Sequence, residues 1–292
     1  SLNQVPDDFK VVNLQYATLD ANAVVKYDPC TTNINIPEIR DVQKNKKMKV
    51  MLAVGGPEGN FDFLNSTGNV TNFYNSLWTI YQAWGFNGVT FDIQQLDKKN
   101  RQYIIDGIRK FIDVCPDALI SIAAQPTYVC PQYDNIDKIY NQLVPVIAYK
   151  KPDSQGGEEF VMKDHIDFIQ VLAYNYGNAY DDLRTKKTSP PVEIPPNGTY
   201  EMLDYIFNCY VKPFSVTENT PGSDPTPFEY PGFPAEKISL GVIAFQSSMY
   251  TDYVAPDEVK KALDALSQKY GATVFNINYD SLTNYAFTDA IK

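Results

Sequence analysis

The sequence predicts an α/β fold, a (β/α)8 barrel, on three observations. Short apolar, β-branched runs recur along the 292 residues. Stretches with helical apolar spacing lie between them. The runs are apolar almost throughout, as strands covered by helices on both faces must be. Seven such runs approach the eight strands that close a barrel, and a chain of this length suits that fold as one domain. An open, doubly wound sheet shares the alternation, but no G-x-G-x-x-G turn follows the first run. The expectation is a single barrel domain over residues 1–292.

The candidate strands are residues 10–16, 49–54, 88–93, 119–124, 168–173, 238–243 and 272–277. Helical spacing marks residues 73–84, 103–114 and 257–266. Two long connections break the rhythm, at 150–163 and 177–234, and the second is rich in Pro, Thr, Ser and Gly. Loops of that length are usually functional or mobile. After the C-terminal end of a barrel strand they would rim the site.

Composition narrows the partners. Apolar residues make up 44% and charged residues 21%, as in an ordinary folded domain. The net charge of −10 repels nucleic acid, and no basic cluster offsets it. The lysines at 44–49 read as a solvated helix end before a strand. No run of about 18 apolar residues is present, so no membrane span is expected. Cys30, Cys115, Cys130 and Cys209 permit two disulfides in three connectivities, and spacing does not choose among them. Sequons at Asn65, Asn69 and Asn197 lie in polar stretches. With the start at Ser1 they give a secreted or extracellular expectation.

Metal and triad chemistry are not supported. There is no H-E-x-x-H and no C-x-x-C pair, so neither a zinc site nor a cofactor is expected. The single histidine, His165, precedes a candidate strand, and no G-x-S-x-G accompanies it.

Residues 85–95 read G-F-N-G-V-T-F-D-I-Q-Q. Side chains alternate along a strand. Val89, Phe91 and Ile93 therefore share one face, suited to packing on helices. Thr90, Asp92 and Gln94 share the other, which a barrel turns inward and toward its mouth. Three polar groups on an inward face are costly unless they bond to one another or to a ligand.

This stretch resembles the D-G-x-D-x-D-x-E signature of glycoside hydrolase family 18, the chitinases. Asn87, Thr90, Asp92 and Gln94 occupy its four acidic positions, and only Asp92 is retained. Other segments are similar in order and spacing. K-V-M-L-A-V-G-G at 49–56 looks like the family's S-x-G-G strand, with Ala53 where serine is usual. Residues 121–129 look like the strand that ends in a M-A-P-E-like or A-A-P-Q-like sequence and bring Gln125 near the mouth. Q-V-L-A-Y-N-Y at 170–176 looks like the strand bearing the active-site tyrosine, here Tyr174, followed by Asn175. Residues 237–242 and 253–256 resemble the "LGLPA…GYVPP" segment. Residues 270–280 resemble the last strand, with Phe275 where a tryptophan normally floors the sugar site. The small plant and fungal class is the nearest in flavour. The family's first strand has no match, and residues 10–16 align with its second.

The resemblance implies substrate-assisted catalysis, an exception to the two-carboxylate scheme. The substrate's N-acetyl oxygen attacks the anomeric carbon, a glutamate protonates the leaving oxygen, and an aspartate and a tyrosine stabilise the oxazolinium ion. Asp92 and Tyr174 fit the stabilising role. Gln94 has no titratable proton to give, and general acid catalysis is typically worth ~10²–10⁴-fold. Thr90 also removes the aspartate that would share charge with Asp92. Glu58, after the second candidate strand, is a poor replacement acid and reads better as a solvated loop residue.

Binding can outlast the acid. Gln94 donates and accepts hydrogen bonds, and Tyr16, Tyr128, Tyr174 and Phe275 offer ring faces to a sugar. The expected ligand residues are thus Tyr16, Asp92, Gln94, Gln125, Tyr174, Asn175 and Phe275. The expected partner is a chito-oligosaccharide or an N-glycan-type ligand, and the expected protein an inactive, lectin-like relative of the chitinases. Two other readings stay open: an active chitinase or endo-N-acetylglucosaminidase carrying a Glu-to-Gln replacement at 94, and a barrel scaffold that binds a protein as an inhibitor or structural element.

Overall fold

The computed structural model describes residues 1–292 except 29–32, 58, 95, 134–135, 137–139, 152–158, 175, 177–178, 186–192, 219–223, 247–251, 267–270 and 276. The chain forms two compact units. The first is Ser1–Ala123 with Tyr149–Asp167, and the second is Ala124–Ala148 with Phe168–Lys292.

The first unit begins with β1 (Val11–Leu19), β2 (Val25–Lys26) and α1 (Ile36–Asn45). It continues through β3 (Lys49–Gly55), α2 (Thr67–Trp84), β4 (Gly88–Asp92), α3 (Arg101–Val114) and β5 (Leu119–Ala124), whose last residue enters the second unit. β1, β3, β4 and β5 pair in parallel, in that order. β2 pairs antiparallel with the end of β1. Each helix is started and stopped locally. Asn35 caps α1 by accepting from Glu38 N–H, and Ser66 caps α2 by accepting from Asn69 N–H. Gly85 ends α2 in the left-handed region, φ 67°, where a side chain is disfavoured.

The alternation read along 88–93 holds. Phe91 leaves the sheet toward the helices, its ring 6.3 Å from Phe73 of α2 and 6.2 Å from Phe111 of α3. Ile104, Ile108 and Phe111 give α3 its buried stripe at helical spacing. The connection at 150–163 contains a short antiparallel pair, β6 (Lys150–Lys151) with β7 (Phe160–Val161). His165 ends a single helical turn, and its ring stacks on Phe160 at 4.4 Å.

In the second unit β8 (Phe168–Leu172), β11 (Ile238–Ile243) and β12 (Gly271–Phe275) pair in parallel with β11 central. Residues 177–234, expected as one long loop, are built differently. They hold α4 (Ala179–Thr185), α5 (Tyr200–Val211) and a hairpin of β9 (Phe214–Glu218) with β10 (Thr226–Tyr230). α5 forms because Met202, Leu203, Ile206, Phe207 and Tyr210 recur at helical spacing and bury one face, and Thr199 caps it. Tyr210 donates to Gln125 O at 2.6 Å, and Tyr230 donates to Tyr210 O at 2.7 Å, which ties the hairpin to the helix.

α6 (Pro256–Ala265) precedes β12, and α7 (Ile277–Leu282) and α8 (Ala286–Ile291) close the chain. The buried Asp280 carboxylate accepts from Phe287 N–H, Thr288 N–H and the Thr288 hydroxyl, which caps α8.

The cysteine count misled as to disulfides. Cys115, Cys130 and Cys209 are buried, and no disulfide joins any of these three. Burial pushes the Cys115 thiol up to about 11 and the Cys209 thiol higher still. Exchange needs the thiolate, which such surroundings disfavour. Cys30 lies outside the described residues. No described helix is long and apolar enough to cross a membrane.

Candidate functional site

The site in the first unit grows from the end of β4. The 90 and 92 side chains point away from the face that Phe91 presents to α2 and α3, as strand geometry requires. Thr90 donates to Asn13 Oδ1 of β1 at 2.7 Å. Both residues are neutral, so a hydrogen-bonded polar pair stands where the family signature has a carboxylate. Asp92 is only 4% exposed. Gln94 Nε2 donates to Asp92 Oδ1 at 2.7 Å, and the Tyr16 hydroxyl also hydrogen-bonds this carboxylate. Burial pushes the Asp92 carboxyl up to about 6, and the bonds from Gln94 and Tyr16 pull it partly back.

Glycines at the end of β3 bring the backbones together. Gly55 pairs with Asp92, and Gly56 N–H donates to Asp92 O at 3.0 Å. A Cβ on Gly55 would sit 2.2 Å from that oxygen, and the residue's φ is +108°. Only glycine meets both conditions. A Cβ on Gly56 would meet the Tyr16 ring, so the pair also fixes where that ring lies.

Asn87, the first signature position, has a framework role. Its Oδ1 accepts from Val50 N–H and from Gln43 Nε2 of α1, both at 2.9 Å. The structure thus gathers Tyr16, Thr90, Asp92 and Gln94, together with Asn13, which sequence reasoning missed. A polar residue between Val12 and Leu14 in an apolar strand was the available signal.

In the second unit the Tyr174 and Phe275 rings stack, centroids 5.6 Å apart at 24°. Tyr174 is 6% exposed and Phe275 half-buried. Gln125 is half-buried and begins a short helical turn at Pro126–Tyr128. Tyr128 is buried. Asn175 and Glu58 lie outside the described residues. Among the described residues no three His, Cys, Asp or Glu are grouped to hold a metal ion.

The sequon asparagines differ from one another. Asn65 is exposed before α2. Asn69 Nδ2 donates to Phe63 O at 2.7 Å, and Asn197 Nδ2 donates to Asp252 Oδ1 at 2.7 Å, so both these amide nitrogens are engaged within the fold.

The family model for "Glycosyl hydrolases family 18" matches residues 2–288. The chain belongs to glycoside hydrolase family 18. Its fold class is accordingly the α/β (β/α)8 barrel that the sequence predicted. Chitinase D of Niallia circulans is 22% identical over 99% of this chain, and the chain spans 57% of that protein's length. A family 18 chitinase from Chromobacterium violaceum superposes with a TM-score of 0.77 at 23% identity, covering 99% of this chain and 77% of the other. A mutant class V chitinase of Nicotiana tobaccum, solved in complex with NAG4, superposes at 0.66 with 12% identity, covering 99% of this chain and 94% of the other.

Proposed function

We propose that this family 18 chain binds N-acetylglucosamine-containing glycans and does not cut them. The observation that carries the reading is the 2.7 Å bond from Gln94 Nε2 to Asp92 Oδ1. Where the signature requires a proton donor, the chain has an amide whose N–H groups hold their protons throughout the working pH range. Without protonation of the leaving oxygen, the acid's typical ~10²–10⁴-fold contribution is lost. The neutral Thr90–Asn13 pair further reduces the charge around Asp92.

The binding machinery is retained. Asp92 offers acceptor oxygens to a sugar N–H, and its orientation is set by Gln94 and Tyr16. In the second unit the Tyr174–Phe275 stack has the apolar face that a pyranose ring covers. The tobacco relative, solved with NAG4, gives the ligand class its precedent. Extracellular carbohydrate recognition is the setting this reading fits.

Titration calorimetry with chito-oligosaccharides from dimer to hexamer tests the proposal. Saturable heat without release of reducing ends supports it. Absence of heat at millimolar ligand overturns the binding half, and steady release of reducing ends overturns the other half.

A further inference from the structure

α2 is unlike the helices that precede and follow it. Its 18 residues include no Asp, Glu, Lys or Arg, in a chain that is 21% charged. α1 carries four charged residues in ten, and α3 five in fourteen. A surface helix ordinarily sets charged and polar groups opposite its buried stripe. α2 has the stripe, with Val70, Phe73 and Leu77 buried. Its outer face holds Asn75, Trp78, Thr79 and Gln82, all exposed. Residues three and four apart are neighbours on a helix, so these four form one strip about 10 Å long.

Trp78 is 44% exposed. Single exposed apolar residues are ordinary, so its surroundings decide its meaning. Trp84, at the end of the same helix, packs against other rings. It stacks on Phe86 at 6.2 Å and meets Tyr27 edge-on at 5.2 Å. Trp78 instead stands in water among amides and a hydroxyl. The Thr79 hydroxyl donates to Asn75 O at 2.8 Å, which leaves its oxygen able to accept. Cations beside the helix are engaged. Lys110 of α3 lies 5.4 Å over the Tyr74 ring, and Lys26 of β2 pairs with Asp20 at 3.3 Å. Phe91 points to α2 and Asp92 away from it, so the strip is separate from the Asp92 site.

Charge complementarity selects the partner. The strip has no charge of either sign to attract a polyanion or a polycation. Protein interfaces centre on apolar cores, whereas hydrogen-bonding side chains surround Trp78. Uncharged polar groups also cost less to cover than ions do. An indole edged by amides suits a neutral pyranose polymer, whose C–H faces rest on the ring while hydroxyl and N-acetyl groups bond to the amides. We propose that the outer face of α2, centred on Trp78, holds the protein on the surface of a neutral, N-acetylated polysaccharide. This surface acts independently of any soluble sugar bound at Asp92.

Adsorption to chitin particles, measured by depletion from solution, tests it. The wild type should adsorb. Trp78→Ala should raise the apparent dissociation constant about five- to tenfold, the scale of one aromatic contact, and Trp78→Tyr should retain most of the affinity. Thr79→Glu should weaken adsorption by placing an ion where the polymer covers it. The exposed position leaves the thermal midpoint unchanged, which separates lost contact from lost fold. Calorimetric binding of chitotetraose should be the same in the wild type and Trp78→Ala, which keeps the two sugar-binding readings apart. A wild type that does not adsorb, or a Trp78→Ala variant that adsorbs equally well, overturns the inference. So does a wild-type dimer in sedimentation that Trp78→Ala dissociates, because the face would then belong to a second copy of the chain.

Discussion

Replacing Asp92 by asparagine should make this protein more stable above pH 6 and leave it unchanged near pH 4. Asp92 is buried, and its carboxyl titrates near 6 in the folded chain against an ordinary value of 3.8. The folded protein therefore binds this proton more tightly than the unfolded chain. Between about pH 4 and 6 the folded state holds a proton that the unfolded state has released, so stability falls as pH rises through that window. A rise from 3.8 to about 6 is worth about 3 kcal/mol, at 1.36 kcal/mol for each tenfold change in proton affinity. Above the window that full cost is present, because a charged carboxylate sits where water is excluded. The amide of Asp92→Asn keeps an oxygen to accept from Gln94 and carries no charge. Urea unfolding of both proteins from pH 4 to pH 8 measures the effect. The expected difference in unfolding free energy is near zero at pH 4 and approaches 3 kcal/mol at pH 7.5. Other carboxylates titrate alike in both proteins, so the difference isolates position 92. A difference that stays constant across the range would refute the argument.

Four further outcomes follow from the same geometry. Gln94→Glu should leave hydrolysis of a chromogenic chito-oligosaccharide at background, because the new carboxyl meets Asp92 at hydrogen-bond distance with no Asp at 90 to share charge; turnover comparable to an active chitinase would reject that account. Thr90→Val should cost about 1–2 kcal/mol in chemical denaturation, since Asn13 loses the hydroxyl that donates to it. Gly55→Ala should cost well over 2 kcal/mol, or abolish folding, because the added methyl strikes Asp92 O at a backbone angle unsuited to alanine. Asp280→Ala should lower stability by about 2 kcal/mol, the upper end for an N-cap, since a buried carboxylate with three donors is removed.

Strand alternation was the most readable feature of the sequence. It separated Phe91 from Thr90 and Asp92 correctly, because a period of two is enforced by backbone geometry whatever the partners are. Partners were harder to read. Asn13 and Thr90 are 77 positions apart, and nothing local announces their bond. α5 was hidden for a different reason. The Pro- and Thr-rich flanks of 177–234 dominate its composition, although the apolar spacing from Met202 to Tyr210 is plainly helical. Cysteine counting failed because it registers number and ignores depth: Cys130 and Cys209 are core residues. Asn87 shows the limit of motif matching. It aligns with an acidic signature position, yet its side chain works as a brace between β3, β4 and α1.

The Thr90–Asn13 bond also bears on the history open to this chain. A glutamine codon becomes a glutamate codon by a single base change, so the proton donor at 94 is within easy mutational reach. A threonine codon needs two changes to become an aspartate codon. That aspartate would arrive facing the Asn13 oxygen that now accepts from Thr90, and two acceptors would meet until the amide turned over. If the chain binds glycans without cutting them, as proposed, this hydrogen bond between two uncharged residues works as a ratchet against regaining a charge at position 90.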